Sequence, residues 1–283
     1  MNLLSPGEEE DFTVRFWGTR GTRMMAGEQF HKYGWNTICV EVRCGNRLII
    51  LDAGSGIDDL GKQLAINCNA GEFDLFLTHA HYDHVLGIPF FAPLYNAGCK
   101  LNIWAGKLTG STDTRNVMDR LMVEPFFPVS IETFRADIRY RDIRDNEVID
   151  LGEGISVHTI PLDHPGRATG YKIEFGGRSF ALITDTSHTP GQLNEGLVEF
   201  LRGVDAFAYD CSYVDAEFDE YPGFGHSTWE EAVRLRKASG AVRALGLHHM
   251  PFKNDAAVDQ IVSRITLLDD ATSAATEGMV LKL

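Results

Sequence analysis

Between His79 and His84 the chain packs three histidines and an aspartate (Thr78-His79-Ala80-His81-Tyr82-Asp83-His84), directly after an apolar run of Phe73, Leu75, Phe76 and Leu77 that reads as a buried strand. Imidazole and carboxylate donors together suit zinc, manganese or iron, and a turn leaving a strand end can aim alternate side chains at one point. A solvated polar loop accounts for one or two such residues, not for four. A chain with this segment has to fold so that a strand ends beside a metal-binding cleft.

Four residues on one short loop rarely close two coordination spheres, so further ligands are expected elsewhere. Four other places supply them. Asp52 follows the strand-like Leu48 to Leu51 and opens the turn Ala53-Gly54-Ser55-Gly56. His164 follows the alternating segment Ile155, Val157, Thr159; Asp185 ends the apolar run from Phe180; and His248 and His249 end the run Leu245-Gly246-Leu247. An apolar strand with a ligand-type residue at its carboxyl end recurs each time, and that end is where open α/β sheets carry their chemistry.

Read in order, these elements resemble the metallo-β-lactamase superfamily: the aspartate turn at Asp52, the cluster from His79 to His84, single residues at His164 and Asp185, and a terminal histidine. Within it, the chain is similar to the phosphodiesterase branch that includes ribonuclease Z and cyclic-nucleotide phosphodiesterases. The features pointing there are the opening Phe16-Trp17-Gly18-Thr19-Arg20-Gly21, the segment Gly225-His226-Ser227-Thr228 at the mouth of a helix, and the histidine strand shortly after it.

The resemblance implies an αββα sandwich of two mixed sheets with helices outside, and two divalent transition-metal ions, zinc first, with manganese or iron open. One ion would be held by His79, His81 and His164, the other by Asp83, His84 and the terminal histidine, with Asp185 bridging. Anchoring on Pro251 favours His248 as that last ligand, whereas strand alternation through Leu245 and Leu247 favours His249; His248 is preferred. Met250 stands where the family commonly carries a carboxylate. Asp52 is expected behind the ligands, hydrogen-bonded to a histidine or to the turn. Asp83 and His226 are the expected catalytic residues, His226 beside the departing oxygen as general acid. A hydroxide shared by two cations would attack phosphorus, because the cations lower the pKa of water and neutralise phosphoryl charge. Asp210 reads equally well as the partner of a ligand histidine or as a strand-end turn residue.

Charge narrows the substrate. A formal net charge of -14 with no basic footprint argues against gripping long nucleic acid. The series Arg135, Arg139, Arg141, Arg144 is interleaved with Asp137, Asp142 and Asp145 and reads as a solvated mixed-charge face. A small phosphodiester such as a cyclic nucleotide fits better than RNA. Two other readings stay open: hydrolysis of a thioester, lactone or β-lactam, which has no evident use for His226, and a non-catalytic metal-bound sensor or binding module, against which stands the complete ligand set.

At 283 residues and 44% hydrophobic, the chain is expected to form one domain over 1–283, with about 107–150 as a lid-like or dimer-forming insertion; a homodimer stays open. Five cysteines without a Cys-x-x-Cys pair (Cys39, Cys44, Cys68, Cys99, Cys211), an acidic amino terminus and no membrane-length apolar run point to a cytoplasmic protein that does not engage a membrane. Ten strands and six helices are expected, the helices near Ile57–Ile66, Gly87–Tyr95, Thr114–Val123, Gly191–Leu201, Thr228–Ala238 and Ala256–Leu268.

Overall fold

A computed structural model of the protein describes residues 11–67, 71–106 and 113–283. One sheet takes β1 (Phe12–Gly18), β2 (Cys39–Cys44), β3 (Arg47–Leu51), β4 (Gly71–Leu77), β5 (Cys99–Ala105) and β6 (Asp137–Asp142). The other takes β7 (Val148–Gly152), β8 (Ile155–Leu162), β9 (Ala168–Phe175), β10 (Arg178–Ile183), β11 (Ala206–Asp210), β12 (Ala244–Leu247) and β13 (Thr272–Ala274). The last strand, β14 (Val280–Lys282), returns to pair with β1. Among the described residues each sheet has seven strands, in the orders β14-β1-β2-β3-β4-β5-β6 and β13-β12-β11-β10-β9-β8-β7, with both parallel and antiparallel pairs.

Alternation along the strands dictates how the sheets stack. Phe12, Val14 and Phe16 of β1 and Val40 and Val42 of β2 share one buried layer with Val157, Tyr171, Phe180 and Leu182 of the second sheet. Edge-on ring pairs cross this layer, Phe16 against Phe180 at 6.3 Å and Phe76 against Tyr171 at 5.3 Å. The outer faces are covered by α1 (Gly56–Asn67), the four-residue α2 (Tyr82–Val85) and α3 (Thr114–Leu121) on the first sheet, and by α4 (Glu195–Phe200), α5 (Trp229–Ser239) and α6 (Asp255–Leu268) on the second. The result is the expected αββα sandwich. Among the described residues no helix is long and apolar enough to cross a membrane.

Several elements differ from the sequence reading for local reasons. The helix expected over Gly87–Tyr95 is two 3-10 turns, Ile88–Phe90 and Ala92–Tyr95, broken at the extended Phe91. Pro93 has no N–H to donate to the carbonyl of Pro89, and its ring would collide with it. Asn194 caps α4 by accepting from the Leu197 N–H at 3.1 Å, so that helix starts later than Gly191. The mixed-charge Arg139–Asp142 region is β6, an exposed edge strand, where charged side chains discourage pairing with another chain. With α3 and the start of β7, it builds much of the 107–150 stretch into the sandwich. Residues 107–112, at the head of that stretch, and Cys68 lie outside the described residues; Cys39, Cys44, Cys99 and Cys211 are buried.

Strand ends converge at one rim. The Tyr171 hydroxyl donates to the Leu77 carbonyl at 2.6 Å and ties β9 to the end of β4. Just past three strand ends, Asp52, Asp185 and His248 adopt left-handed backbone with φ of 60°, 54° and 61°, a conformation costing roughly 1–2 kcal/mol for a non-glycine residue. Beneath the rim, Gly246 packs flat on an indole: an added Cβ would lie 2.3 Å from Cζ3 of Trp229. Gly246→Ala should therefore lower stability by about 1–3 kcal/mol, read as a lower denaturant midpoint at unchanged slope; an unchanged midpoint would contradict this packing.

Candidate metal centre

The rim gathers every expected ligand. His79 and His81 lie on the loop after β4, Asp83 and His84 on α2, His164 after β8, Asp185 after β10 and His248 after β12. Three groupings result, in each of which the ligand atoms lie within 4.8 Å of one another: His79, His81 and His164; Asp83, His84, Asp185 and His248; and Asp185, Asp210, His226 and His248. Asp185 is common to two of them and touches the first, its carboxylate oxygens lying 3.7 Å from His79 Nε2, 3.8 Å from His164 Nε2, 3.1 Å from His84 Nε2 and 3.4 Å from His248 Nε2.

The histidines are aimed by what stands behind them. Asp52 is fully buried and accepts three bonds: from the Thr78 N–H (2.7 Å), from the Thr78 hydroxyl (2.8 Å) and from His84 Nδ1 (2.8 Å). Because Thr78 Oγ1 spends its proton on Asp52, it is an acceptor for His79 Nδ1 at 3.0 Å. Asp210 does the same from the second sheet. Its Oδ2 accepts from His226 Nδ1 at 2.8 Å, and its Oδ1 accepts from the Ser212 hydroxyl at 2.7 Å, which accepts in turn from His248 Nδ1 at 2.9 Å. His164 Nδ1 donates to the Gly225 carbonyl at 2.8 Å. In each of these five rings Nδ1 is thus occupied and Nε2 is left for the cleft, an arrangement that suits metal binding; His81 instead turns its Nδ1 inward, toward His164 Nε2.

Glycines let the backbone approach these rings. Gly225 has φ of +79°, and a Cβ there would lie 2.5 Å from His164 Nδ1; a Cβ on Gly21 would lie 2.1 Å from the His248 ring. Thr22 follows in the same loop, and its N–H donates to Asp83 at 2.6 Å. Met250 is buried, its sulfur 4.0 Å from the Thr22 hydroxyl, so the position that departs from the family pattern backs the loop holding Asp83.

These residues fit divalent cations. Among the described residues, Nε2 of His79 and of His84 are buried without a hydrogen-bond partner, although Asp185 stands 3.1 Å from the latter outside hydrogen-bonding geometry. Such orphaned nitrogens are costly unless something accepts their lone pairs. Nδ1 of His81 and Nε2 of His164 are 3.0 Å apart, near the ~3.3 Å edge of a tetrahedron with metal–nitrogen bonds of about 2.0–2.1 Å. The electrostatics agree. Burial works against charge on His84, yet Asp185, Asp83 and Asp52 together hold it well above the usual histidine range. Burial likewise opposes charge on His248, which Asp185 and Asp83 raise to about 9. Three carboxylates demand positive charge at this point, and metal ions would supply it while leaving the rings neutral.

His249 is turned away. His248 leaves the extended conformation, so alternation breaks there, and His249 bridges to Arg20 with its Nε2 donating to the Ala275 carbonyl at 2.9 Å. Burial lowers it to about 3. His226 is drawn in, its Nδ1 3.8 Å from Asp185. His188 bonds the buried Ser227 hydroxyl at 2.7 Å and stacks on Phe218, and Asn36 and Thr37 bond Ser55, so these residues hold turns. Sequence reasoning left Asp210 undecided and passed over Ser212, Thr78 and Thr22. The Asp-x-Ser spacing at the end of β11 is a local signal that could have pointed to Asp210 and Ser212.

Residues 48–249 match a family described as Beta-lactamase superfamily domain. "Ribonuclease Z" of Porphyromonas gingivalis is 21% identical over 84% of this chain and 90% of its own. Among solved structures, the metallo-beta-lactamase fold protein YhfI from Bacillus subtilis superposes with a TM-score of 0.72 at 16% identity, covering 97% of this chain and 100% of that one. A diphosphatase from the PhnP family does so with a TM-score of 0.69 at 18% identity, covering 96% and 98%. Because the family match spans well over half of its length, and both sheets superpose on those structures, the chain belongs to the beta-lactamase superfamily and has the metallo-β-lactamase fold.

Proposed function

We propose that the chain is a metal-dependent phosphodiesterase acting on a small phosphodiester, a cyclic nucleotide being the substrate it suits best. The observation that carries this reading is His226, which Asp210 holds at the edge of the ligand cluster and which the two-ion assignment leaves free, although it also falls in the third grouping with Asp185, Asp210 and His248. Its ring lies 5.4 Å from that of His164 and 4.5 Å from that of His248. The relative named a ribonuclease and the structural neighbour named a diphosphatase both act, by those names, on bonds to phosphorus. A net charge of -14 weighs against a long RNA as the substrate here.

In this reading His79, His81 and His164 would hold one ion and Asp83, His84 and His248 the other, with Asp185 within reach of both sets; zinc suits the donor set first, with manganese or iron open. Bound divalent ions would lower the pKa of water and neutralise charge developing on the phosphoryl oxygens. The remaining tasks fall to the chain. Asp210 accepts from Nδ1 of His226, which fixes the ring and leaves Nε2 to deliver a proton to the leaving oxygen. Asp83, held by the Thr22 N–H, keeps its carboxylate on His248 Nε2 at 3.2 Å and lines the cleft.

Two substitutions test the acid role. His226→Ala should keep its metal and lose roughly 10²- to 10⁴-fold in turnover on an alkyl phosphodiester, with a smaller loss on bis-p-nitrophenyl phosphate, whose phenolate departs without a proton. Equal losses on both would assign His226 to electrostatic stabilisation instead, and no loss would remove it from the mechanism. Asp210→Asn should follow the same leaving-group pattern with a loss of about 10- to 100-fold; wild-type turnover in that variant would contradict the dyad. A wild-type protein that cleaves thioesters or lactones and no phosphodiester would overturn the proposal as a whole.

A further inference from the structure

Aromatic rings climb out of the site from His226 to the surface. Tyr213 stands edge-on to His226 at 6.2 Å, and Tyr221 stacks on Tyr213 at 4.3 Å with their planes 7° apart. Tyr221 in turn meets Phe252 nearly face to face at 6.0 Å and Phe224 edge-on at 6.1 Å. The outer pair is open to water, Phe224 60% and Phe252 56% exposed. At the inner end the Tyr213 hydroxyl is buried without a hydrogen-bond partner among the described residues.

Both outer rings belong to the site's own loops. Phe224 is followed by Gly225, whose carbonyl holds His164, and then by His226, while Phe252 lies a few residues beyond His248. A scattered exposed phenylalanine needs no explanation, but two flanking a catalytic cleft and joined through a third ring do. Lys253 adds a cation near the same rings, its Nζ 5.7 Å from Phe252 and 6.0 Å from Tyr213, although Glu217 pairs with it.

We infer that Tyr221, Phe224 and Phe252 form a stacking platform for the planar base of a nucleoside cyclic phosphate, on the leaving-oxygen side of the site. The inference rests on the phosphodiesterase reading and specifies its substrate. In a cyclic nucleotide both ester oxygens stay on one nucleoside, so the group that protonates the leaving oxygen and the surface that takes the base must lie side by side. His226 and the ring series meet that demand. Base faces stack on aromatic side chains tolerantly of sequence, and single alanine replacements of such rings weaken binding by about 5- to 150-fold.

The test pairs substrates with and without a base. Wild-type protein is offered adenosine 2′,3′- and 3′,5′-cyclic phosphates and the matching base-free methyl riboside cyclic phosphates, alongside a Phe224→Leu, Phe252→Leu double variant. The platform predicts that the wild type prefers the adenosine esters, and that the double variant loses about 5- to 150-fold in kcat/KM on them, mainly through KM, with little change on the base-free esters. Calorimetry of adenosine monophosphate against ribose 5-phosphate should show the same base-dependent loss without turnover. Equal treatment of both ester classes by the wild type, or equal binding of the two monophosphates, would overturn the platform while leaving phosphodiesterase activity intact. If no phosphodiester is cleaved at all, the function proposed above fails, and the calorimetry still decides whether a base is bound.

Discussion

Five histidines crowd one buried carboxylate: His79, His84, His164, His226 and His248 each place a ring nitrogen within 3.8 Å of Asp185. Burial works to raise the Asp185 pKa, and the pull of His248, His84 and His79 drives it well below the usual carboxylate range. A carboxylate so placed must stay charged, and a charge this deep is tolerated only with opposite charge in contact. The surroundings answer that requirement. Strands end here in left-handed residues, loops close in over glycine, and His79, His84, His164 and His248 are turned so that their Nε2 atoms face Asp185, while His226 approaches it with Nδ1.

Support for this centre is divided evenly between the two sheets. Asp52, after β3, holds His84 directly and His79 through the Thr78 hydroxyl; Asp210, ending β11, holds His226 directly and His248 through the Ser212 hydroxyl. One fully buried aspartate per sheet thus fixes two rings, one of them through a hydroxyl that donates one way and accepts the other. This geometry also separates the tasks proposed for the site. The rings served by Asp52 face only the ligand cluster, whereas Asp210 joins a candidate ligand, His248, to the candidate acid, His226, so that proton delivery and metal holding share a single rigid anchor.

Most of the centre was legible because its residues follow apolar strands in an order tied to one fold family. The αββα layering was legible through that family resemblance, and the coexistence of an antiparallel pair such as β9–β10 with strand–helix alternation agrees with it. What stayed hidden depends on contacts distant in sequence. The choice between His248 and His249 turned on a single left-handed residue that strand periodicity cannot reveal. Asp210 and Ser212 acquire their roles only when β11 is laid beside β12 and the Gly225 loop. Exposed β6 carries charges rather than apolar alternation, since an edge strand has little to bury, and Pro93 broke a helix whose apolar pattern alone suggested continuity.

The proposed centre stands on two cations that would share Asp185. Elemental mass spectrometry of the purified protein, repeated on Asp83→Ala and Asp185→Ala, measures this directly. Two transition-metal ions per chain are predicted for the wild type, with one retained in Asp83→Ala and a larger loss in Asp185→Ala, because removing the shared carboxylate leaves the two ions facing each other uncompensated. Saturation at one ion per chain, with metal content unchanged in Asp83→Ala, would contradict it.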